Sequence, residues 1–425
     1  MGVELPTTSR SVAVIGGGWA GLAAAIEATR LGHRVTLFEM SAHLGGRART
    51  VAAAGLMLDN GQHIMIGAYT ATLGLMRAIG VDVESTLLRT PLRFTNPDGT
   101  GLHLEPGMPI VAFVRAVLRQ QNWTASERWS LLLASARWAL ARFRCADDLT
   151  VDELTAALPQ SVRDQLIDPL CVAALNTPAH EASASVFLRV LKDALFAGPG
   201  SADLLLPRVS LSELLPAPTQ RWLGNANLRM MTRVAALRAH GGRWLVDSEF
   251  FDRVVLAATP SESARLTMDF APAWSQRVSA LRFEPIVTVY LLADGVRLPE
   301  PMLALHSDAR FPAQFVFDRG QLGGPPGLLA FVISGAQPWV DRGLGATIDA
   351  ALAQARAQLG LELLTVHAQA EKRATFRCTP GLMRPGAQIA PGLYAAGDHV
   401  EGPYPATLEG AVRSGLFAAR QLGKA

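Results

Sequence analysis

Cysteine is scarce in this 425-residue chain: Cys145, Cys171 and Cys378 are its three, far apart and without a CxxC spacing. That pattern supplies neither a zinc site nor a disulfide framework, so reduced thiols and no metal are expected. Lysine occurs only at Lys192, Lys372 and Lys424. The net charge is +3, and basic residues are spread out rather than packed into a run, which argues against nucleic acid as a partner. Although 49% of residues are hydrophobic, no apolar run approaches the roughly 20 residues that span a bilayer. The chain is expected to be soluble or peripheral. Met1 to Arg10 lack the apolar stretch of a secretory signal, so the cytoplasm is the default location. The length exceeds what one ordinary core accommodates, and two or three domains are expected.

What is present begins at the amino terminus. Ser11-Val-Ala-Val-Ile15 is a β-branched run ending in Gly16-Gly-Gly-Trp-Ala-Gly21, and Leu22 to Leu31 reads as an Ala-rich helix stopped by Gly32. The glycines at 16, 18 and 21 occupy GxGxxG positions: the first permits a tight turn, the second close approach to a pyrophosphate, the third helix-on-strand packing. Unpaired N–H groups at the helix start then face the phosphates. A second strand, Arg34-Val-Thr-Leu-Phe38, closes on Glu39, placed to bind the hydroxyls of an unphosphorylated ribose. The fingerprint alone leaves NAD and FAD open. Gly45-Gly-Arg-Ala-Arg49 adds flexible backbone and two guanidiniums for a second phosphate contact, which favours FAD.

The carboxyl terminus carries a second half of such a site. Pro391-Gly-Leu-Tyr-Ala-Ala-Gly-Asp398 reads as turn, buried strand and Gly-Asp pair, and Glu409-Gly-Ala-Val-Arg-Ser-Gly415 opens a final helix. There an aspartate can bind a ribityl hydroxyl, and a helix amino terminus can stabilise negative charge on a reduced ring.

With its GGR segment, Gly397-Asp398 and EGAVRSG helix, the chain resembles the amine oxidase and carotenoid desaturase superfamily of flavoproteins. The resemblance implies that Gly16, Gly18, Gly21, Glu39, Arg47 and Asp398 contact FAD, together with Trp19, Ala20, Gly46 and Gly397 from the same segments. It places the Leu408 N–H near the flavin pyrimidine carbonyl, and likens Thr232-Arg-Val234 to the segment whose main chain holds the adenine. Asp252 to Pro260 resembles the return strand that follows. No cysteine lies near Pro405 to Gly410, so the flavin is expected to be noncovalent.

The expected fold class is α/β: a discontinuous Rossmann-like FAD-binding domain with an inserted α+β substrate domain, a helical cap plus a mixed sheet. Its FAD-binding parts are residues 9–75, 205–275 and 385–425; 76–204 form a mostly helical cap, and 276–384 a substrate-domain sheet and helix. Capping boxes at Thr124 to Glu127 and Thr150 to Glu153 mark helix starts. Pro285-Ile-Val-Thr-Val-Tyr-Leu-Leu292 and Gly327-Leu-Leu-Ala-Phe-Val-Ile333 read as strands walling a cavity. Gly343-Leu-Gly345 follows no strand and is read as a loop, so no NADPH site is expected.

The middle of the chain narrows the resemblance. Pro169 to Pro178, Ala182 to Leu195, Asp203 to Arg208, Phe315 to Gly320 and Tyr404-Pro-Ala-Thr-Leu-Glu-Gly410 resemble the squalene-associated branch, the hydroxysqualene dehydroxylases of hopanoid biosynthesis, and the likeness runs from Val12 to Ala419. It implies reductive removal of a hydroxyl from hydroxysqualene, with a hydrophobic isoprenoid substrate and an external electron donor for the flavin. The alternatives are a carotenoid-type desaturase, an amine oxidase, and a catalytically silent flavin-binding subunit. With only Tyr69, Tyr290, Tyr394 and Tyr404, the chain is poorly equipped for an aromatic amine cage.

Three residues stand out as possible acids, His63, Asp168 and Glu409; hydrogen bonding to backbone or closing a helix end is the competing role for His63 and Asp168. Asn176 is read as a helix-end residue and Cys171 as core. Trp123, Trp129, Trp138 and Phe143 share a segment with Arg128, Arg137, Arg142 and Arg144, a mixture suited to a peripheral contact on the inner face of the cytoplasmic membrane.

Overall fold

The computed structural model describes residues 9–224 and 227–423. Ser11–Ile15 is apolar on both faces because both faces are covered, as parallel strands require. It pairs in parallel with Arg34–Phe38 on one side and Arg253–Leu256 on the other. The sheet has six strands, running Leu228–Arg229, Arg34–Phe38, Ser11–Ile15, Arg253–Leu256, Leu393–Ala395 and Gln388–Ala390. Only the last pairing is antiparallel. Three distant stretches of chain therefore meet in one layer.

Helix Trp19–Arg30 packs on this sheet beside the closing helix Leu408–Gln421. The two approach so closely that a Cβ on Gly415 would stand 2.1 Å from the Ala20 carbonyl oxygen. The glycine in the last motif is thus a packing requirement. Arg420 Nε donates to Glu27 Oε1 at 2.7 Å across the same seam. On the opposite face lies a meander of Leu237–His240, Arg243–Val246 and Glu249–Phe251, where Phe251 meets Phe38 edge-on at 5.9 Å.

The rest of the chain builds the other side of the central space. A five-stranded antiparallel sheet runs Met302–Ala304, Phe315–Asp318, Leu328–Ile333, Phe283–Leu292 and Leu364–Phe376. Leu328–Ile333 is buried throughout, since helix Leu344–Gln354 packs with one face and aromatic side chains fill the other. Helices Pro109–Arg119, Ala125–Leu140, Asp168–Leu175 and Ala184–Phe196 form a separate apolar layer. Both capping boxes close as the S/T-x-x-E spacing requires. Gly343, at φ +91°, caps Leu344–Gln354 and follows no strand. A small sheet of Met65–Ile66, Leu204–Pro207 and Leu87–Thr90 joins the two sides.

Candidate functional site

The glycine turn divides its labour as the physics of each position demands. Gly16 sits at φ +110°, and a Cβ there would lie 2.4 Å from the Ala257 carbonyl oxygen. A Cβ on Gly21 would lie 1.8 Å from the Gly16 carbonyl oxygen, so helix and strand could not touch. Gly18 differs: the nearest atom to its Cβ position is Gly46 Cα at 4.0 Å, and the residue opens onto a cavity. Helix Trp19–Arg30 starts there without a side-chain cap, leaving first-turn N–H groups for an anion. The GGR segment lies alongside, with Gly45 N donating to the Gly17 carbonyl at 2.8 Å. Trp19 Nε1 donates to the Ala48 carbonyl at 3.0 Å and locks that segment in place.

Glu39 ends its strand with the carboxylate turned back to the turn. Oε2 accepts from Gly17 N and Oε1 from Ser41 N, each at 2.7 Å. Each oxygen keeps lone-pair capacity for a ligand hydroxyl. On the facing edge Arg47 Nη2 reaches Asp398 Oδ1 at 2.6 Å, while Nη1 donates to the Ala374 carbonyl at 2.7 Å. Burial alone would raise the Asp398 pKa; the Arg47 guanidinium and the neighbouring His399 reverse this and hold it well below the usual carboxylate range.

These groups line one cavity of about 680 Å³. Its nucleotide end runs along the glycine turn to Val234 and Glu262; its other end is walled by Leu92, Phe94, Leu170, Phe283, Phe315 and Phe317. Arg49 Nε, His399 Nε2 and His63 Nδ1, on residues that line the cavity, are buried without a hydrogen-bond partner. Buried polar atoms are rarely left so. Together with the open approach at Gly18, they fit a ligand with phosphates and hydroxyls at one end and a polar ring at the other. FAD has those parts.

Gly16, Gly18, Trp19, Ala20, Glu39 and Gly46 all reach the cavity wall, as do Arg47, Val234, Gly397, Asp398 and Leu408. Gly21 does not, because it lies behind the turn against Gly16.

Of the three possible acids, two have surroundings that give them other places or partners. Asp168 stands apart from the cavity: on helix Asp168–Leu175 it is Leu170, Ala173 and Ala174 that face inward, and Asp168 projects from the opposite side. Burial raises its pKa, but it does not line this cavity. Glu409 lies at the wall with its carboxylate fully engaged. It accepts from Ala71 N at 3.0 Å, Thr72 N at 2.9 Å, Thr72 Oγ1 at 2.7 Å and Arg413 Nε at 2.7 Å. Four donors fill the acceptor positions of one carboxylate, which makes it the cap of helix Thr70–Ala78. His63 remains in the cavity; burial lowers its pKa, so the imidazole is neutral near pH 7. Asn176, at φ 49°, closes its helix, donates to the Glu284 carbonyl and Thr375 Oγ1, and accepts from Gly335 N.

Sequence reasoning missed a second polar group at this wall, formed by Asp193 and Tyr404 with Arg189 behind them. The available signal was the i, i+4 spacing of Arg189 and Asp193 on a helix otherwise apolar on that face.

A family model described as flavin containing amine oxidoreductase matches residues 19–423. The chain is 28% identical to a hydroxysqualene dehydroxylase of Rhodopseudomonas palustris, covering 97% of this chain and 98% of the relative. It is 24% identical to a 15-cis-phytoene desaturase of an Oncidium hybrid, covering 98% and 78%. In fold it is similar to an oxidoreductase from Methanosarcina mazei, with TM-score 0.70, 18% identity and coverage of 96% and 99%. The α/β architecture, the glycine turn and this match across nearly the whole chain lead to one conclusion: the protein belongs to the flavin containing amine oxidoreductase family and is an FAD-dependent oxidoreductase.

Proposed function

We propose that the chain reductively removes the hydroxyl of hydroxysqualene to give squalene. The observation that carries this reading is a continuous cavity, which passes from the nucleotide groove into a compartment walled by aliphatic and aromatic side chains. A long isoprenoid needs such a compartment with few polar anchors. The activity printed for the relatives matched over almost their full length supports the same substrate.

Bound FAD supplies the two-electron reduction. Glu39 and Asp398 would hold ribose and ribityl hydroxyls, the first turn of Trp19–Arg30 would take the pyrophosphate, and the main chain at Val234 would hold the adenine. The Leu408 N–H, at the cavity wall, would serve the pyrimidine carbonyl. The apolar wall excludes water, which would otherwise capture an electron-deficient allylic carbon. An external donor would reduce the flavin.

The carotenoid-type alternative is favoured by the likeness to a phytoene desaturase. Anaerobic, photoreduced enzyme mixed with hydroxysqualene decides between them. Reoxidation of the flavin with formation of squalene supports dehydroxylation. Persistent reduced flavin, together with dehydrogenation of squalene or phytoene by the oxidised enzyme, establishes the desaturase.

The reading includes a peripheral membrane contact. No described helix is long and apolar enough to cross a membrane. On Ala125–Leu140, Trp129, Leu133 and Leu140 are 58%, 55% and 85% exposed and lie on one stripe. Arg137, Arg142 and Arg144 beside it make no ion pair among the described residues. Trp123 is not part of this face: it is buried, with Nε1 donating to Gln165 Oε1 at 3.0 Å. Phe143 packs on Phe196 at 5.0 Å, and Phe196 ends the helix whose Val190 and Ala194 line the cavity. A lipid-soluble substrate would thus meet the protein next to its compartment.

A further inference from the structure

The helical layer contributes Leu170, Ala173, Ala174, Val190 and Ala194 to the cavity wall, and among its described residues there one charged side chain, Asp193. A carboxylate on an apolar wall is costly unless it is held. It is held by Arg189, whose Nε donates to both its oxygens, at 3.1 and 3.0 Å. The same guanidinium extends Nη2 to the Tyr404 hydroxyl oxygen at 3.3 Å. Its carbon lies 5.1 Å from the Tyr404 ring centroid, and that of Arg413 lies 5.5 Å from the same ring. Arg413 is fixed in turn by Glu409, and the Tyr404 carbonyl accepts from Arg384 Nη1 at 3.0 Å. Tyr404 belongs to the cavity-lining run 404–409, which opens the helix whose start faces the flavin in the proposed site.

This arrangement differs from the acids the sequence singled out. The Tyr404 oxygen accepts from Arg189, and its O–H has the Asp193 carboxylate as its partner in the protein, which keeps the proton at the cavity wall. Burial and the neighbouring Asp193 push the phenol up, and the proton is in place at neutral pH. Negative charge developing on that oxygen would meet a donor already aimed at it and a second cation against the ring, which offset part of the cost that burial and Asp193 impose.

We propose that Tyr404 binds the substrate hydroxyl and donates the proton with which it leaves, and that Asp193 is a positioning residue that orients Arg189. This rests on the reading of the chain as a dehydroxylase. In the step, the phenolic proton passes to the hydroxyl oxygen, the allylic C–O bond breaks and water departs, leaving a phenolate. The electron pair for the carbon, with its hydrogen, comes from the reduced cofactor. The phenolate then regains a proton from solvent.

The test compares wild type, Tyr404→Phe and Asp193→Asn as flavin-loaded enzymes. Tyr404→Phe keeps the ring and its cation contacts. In the oxidised variant, titration followed by the flavin absorbance band should give unchanged affinity for squalene and about fivefold weaker affinity for hydroxysqualene, the loss of one hydrogen bond. Single-turnover reoxidation by hydroxysqualene should slow about 100-fold or more, the range of a lost general acid. Asp193→Asn should retain both affinities, slow reoxidation less, and alter its solvent isotope effect and pH profile. Wild-type rate and discrimination in Tyr404→Phe overturn the assignment. Should that variant not fold, a wild-type rate, isotope effect and pH profile in Asp193→Asn overturn it. Wild-type enzyme that hydroxysqualene cannot reoxidise overturns the dehydroxylase reading, and this assignment falls with it.

Discussion

Arg47 and Asp398, 351 positions apart in sequence, meet through a 2.6 Å contact between Nη2 and Oδ1 at the edge of the cavity. The pair joins the two ends of the chain where the proposed flavin site needs both. Its electrostatics give a pH dependence with a definite sign. A carboxyl whose folded pKa is depressed contributes stability that is complete above its unfolded pKa of about 3.9 and is lost as pH falls through the folded value. Acidification below about pH 4 should therefore loosen this junction, and Asp398→Asn should flatten that part of the stability curve. Denaturant titrations across the acid range, with flavin occupancy read by absorbance, check both. Undiminished occupancy in Asp398→Ala and in Glu39→Ala would remove these carboxylates from the proposed site.

The three fingerprint glycines should separate into two classes on substitution. Gly21→Ala puts a methyl group 1.8 Å from a backbone oxygen, so the helix must move off the strand and the melting temperature should fall. Gly18→Ala has open space at 4.0 Å, so the fold should hold, but the methyl group points where the phosphates are expected. Thermal unfolding of the apoprotein together with flavin content distinguishes these outcomes. Equal loss of stability in both variants would contradict the division.

Glu409→Gln tests a structural role where the sequence suggested an acid. Replacing one oxygen by an amide nitrogen puts a donor where an acceptor met donors from Ala71, Thr72 and Arg413. Unmet buried partners cost about 1–3 kcal/mol. Stability should fall by that order, with substrate reoxidation of the properly loaded fraction close to wild type. A variant as stable as wild type yet chemically dead would return Glu409 to the catalytic group.

His63 should be silent as an acid. Burial favours its neutral form, so the folded pKa lies below the ordinary value of about 6.5 and the protein loses stability as pH falls through that value. His63→Gln should remove this loss on acidification and leave the shape of the reoxidation pH profile near neutrality unchanged. Stopped-flow measurements across that range check it, and disappearance of a titrating limb in the variant would overturn it.

The nucleotide half of the fold was legible because its physics is local. A β-branched run, a turn that only glycine can make and an Ala-rich helix follow each other within twenty residues, and Gly16 and Gly21 are forced by contacts under 2.5 Å. The cavity chemistry was not legible in the same way. Whether Asp168 faces a cavity depends on which side of Asp168–Leu175 meets the sheet, and that is set by packing at long range. Glu409 could be recognised as a cap only once helix Thr70–Ala78, more than three hundred residues earlier, was laid against it. Tyr404 and Arg189 both lay in segments the sequence marked, but their contact spans 215 positions.

The membrane contact makes a directional prediction. Interfacial binding combines buried apolar area with attraction to anionic headgroups. Trp129, Leu133 and Leu140 supply the first on one stripe of Ala125–Leu140, and Arg137, Arg142 and Arg144 supply the second. Leu133→Asp and Leu140→Asp place carboxylates on an already exposed stripe, so neither the core nor flavin content should change. The wild-type protein should float with vesicles containing anionic phosphatidylglycerol, less so with neutral vesicles and less at high salt, since screening shortens the reach of the arginines. The double variant should stay in the soluble fraction and should turn over substrate presented in vesicles more slowly than substrate presented in detergent micelles. Wild-type protein that remains wholly soluble, or a double variant that floats as well as wild type, would show that this stripe is not the contact.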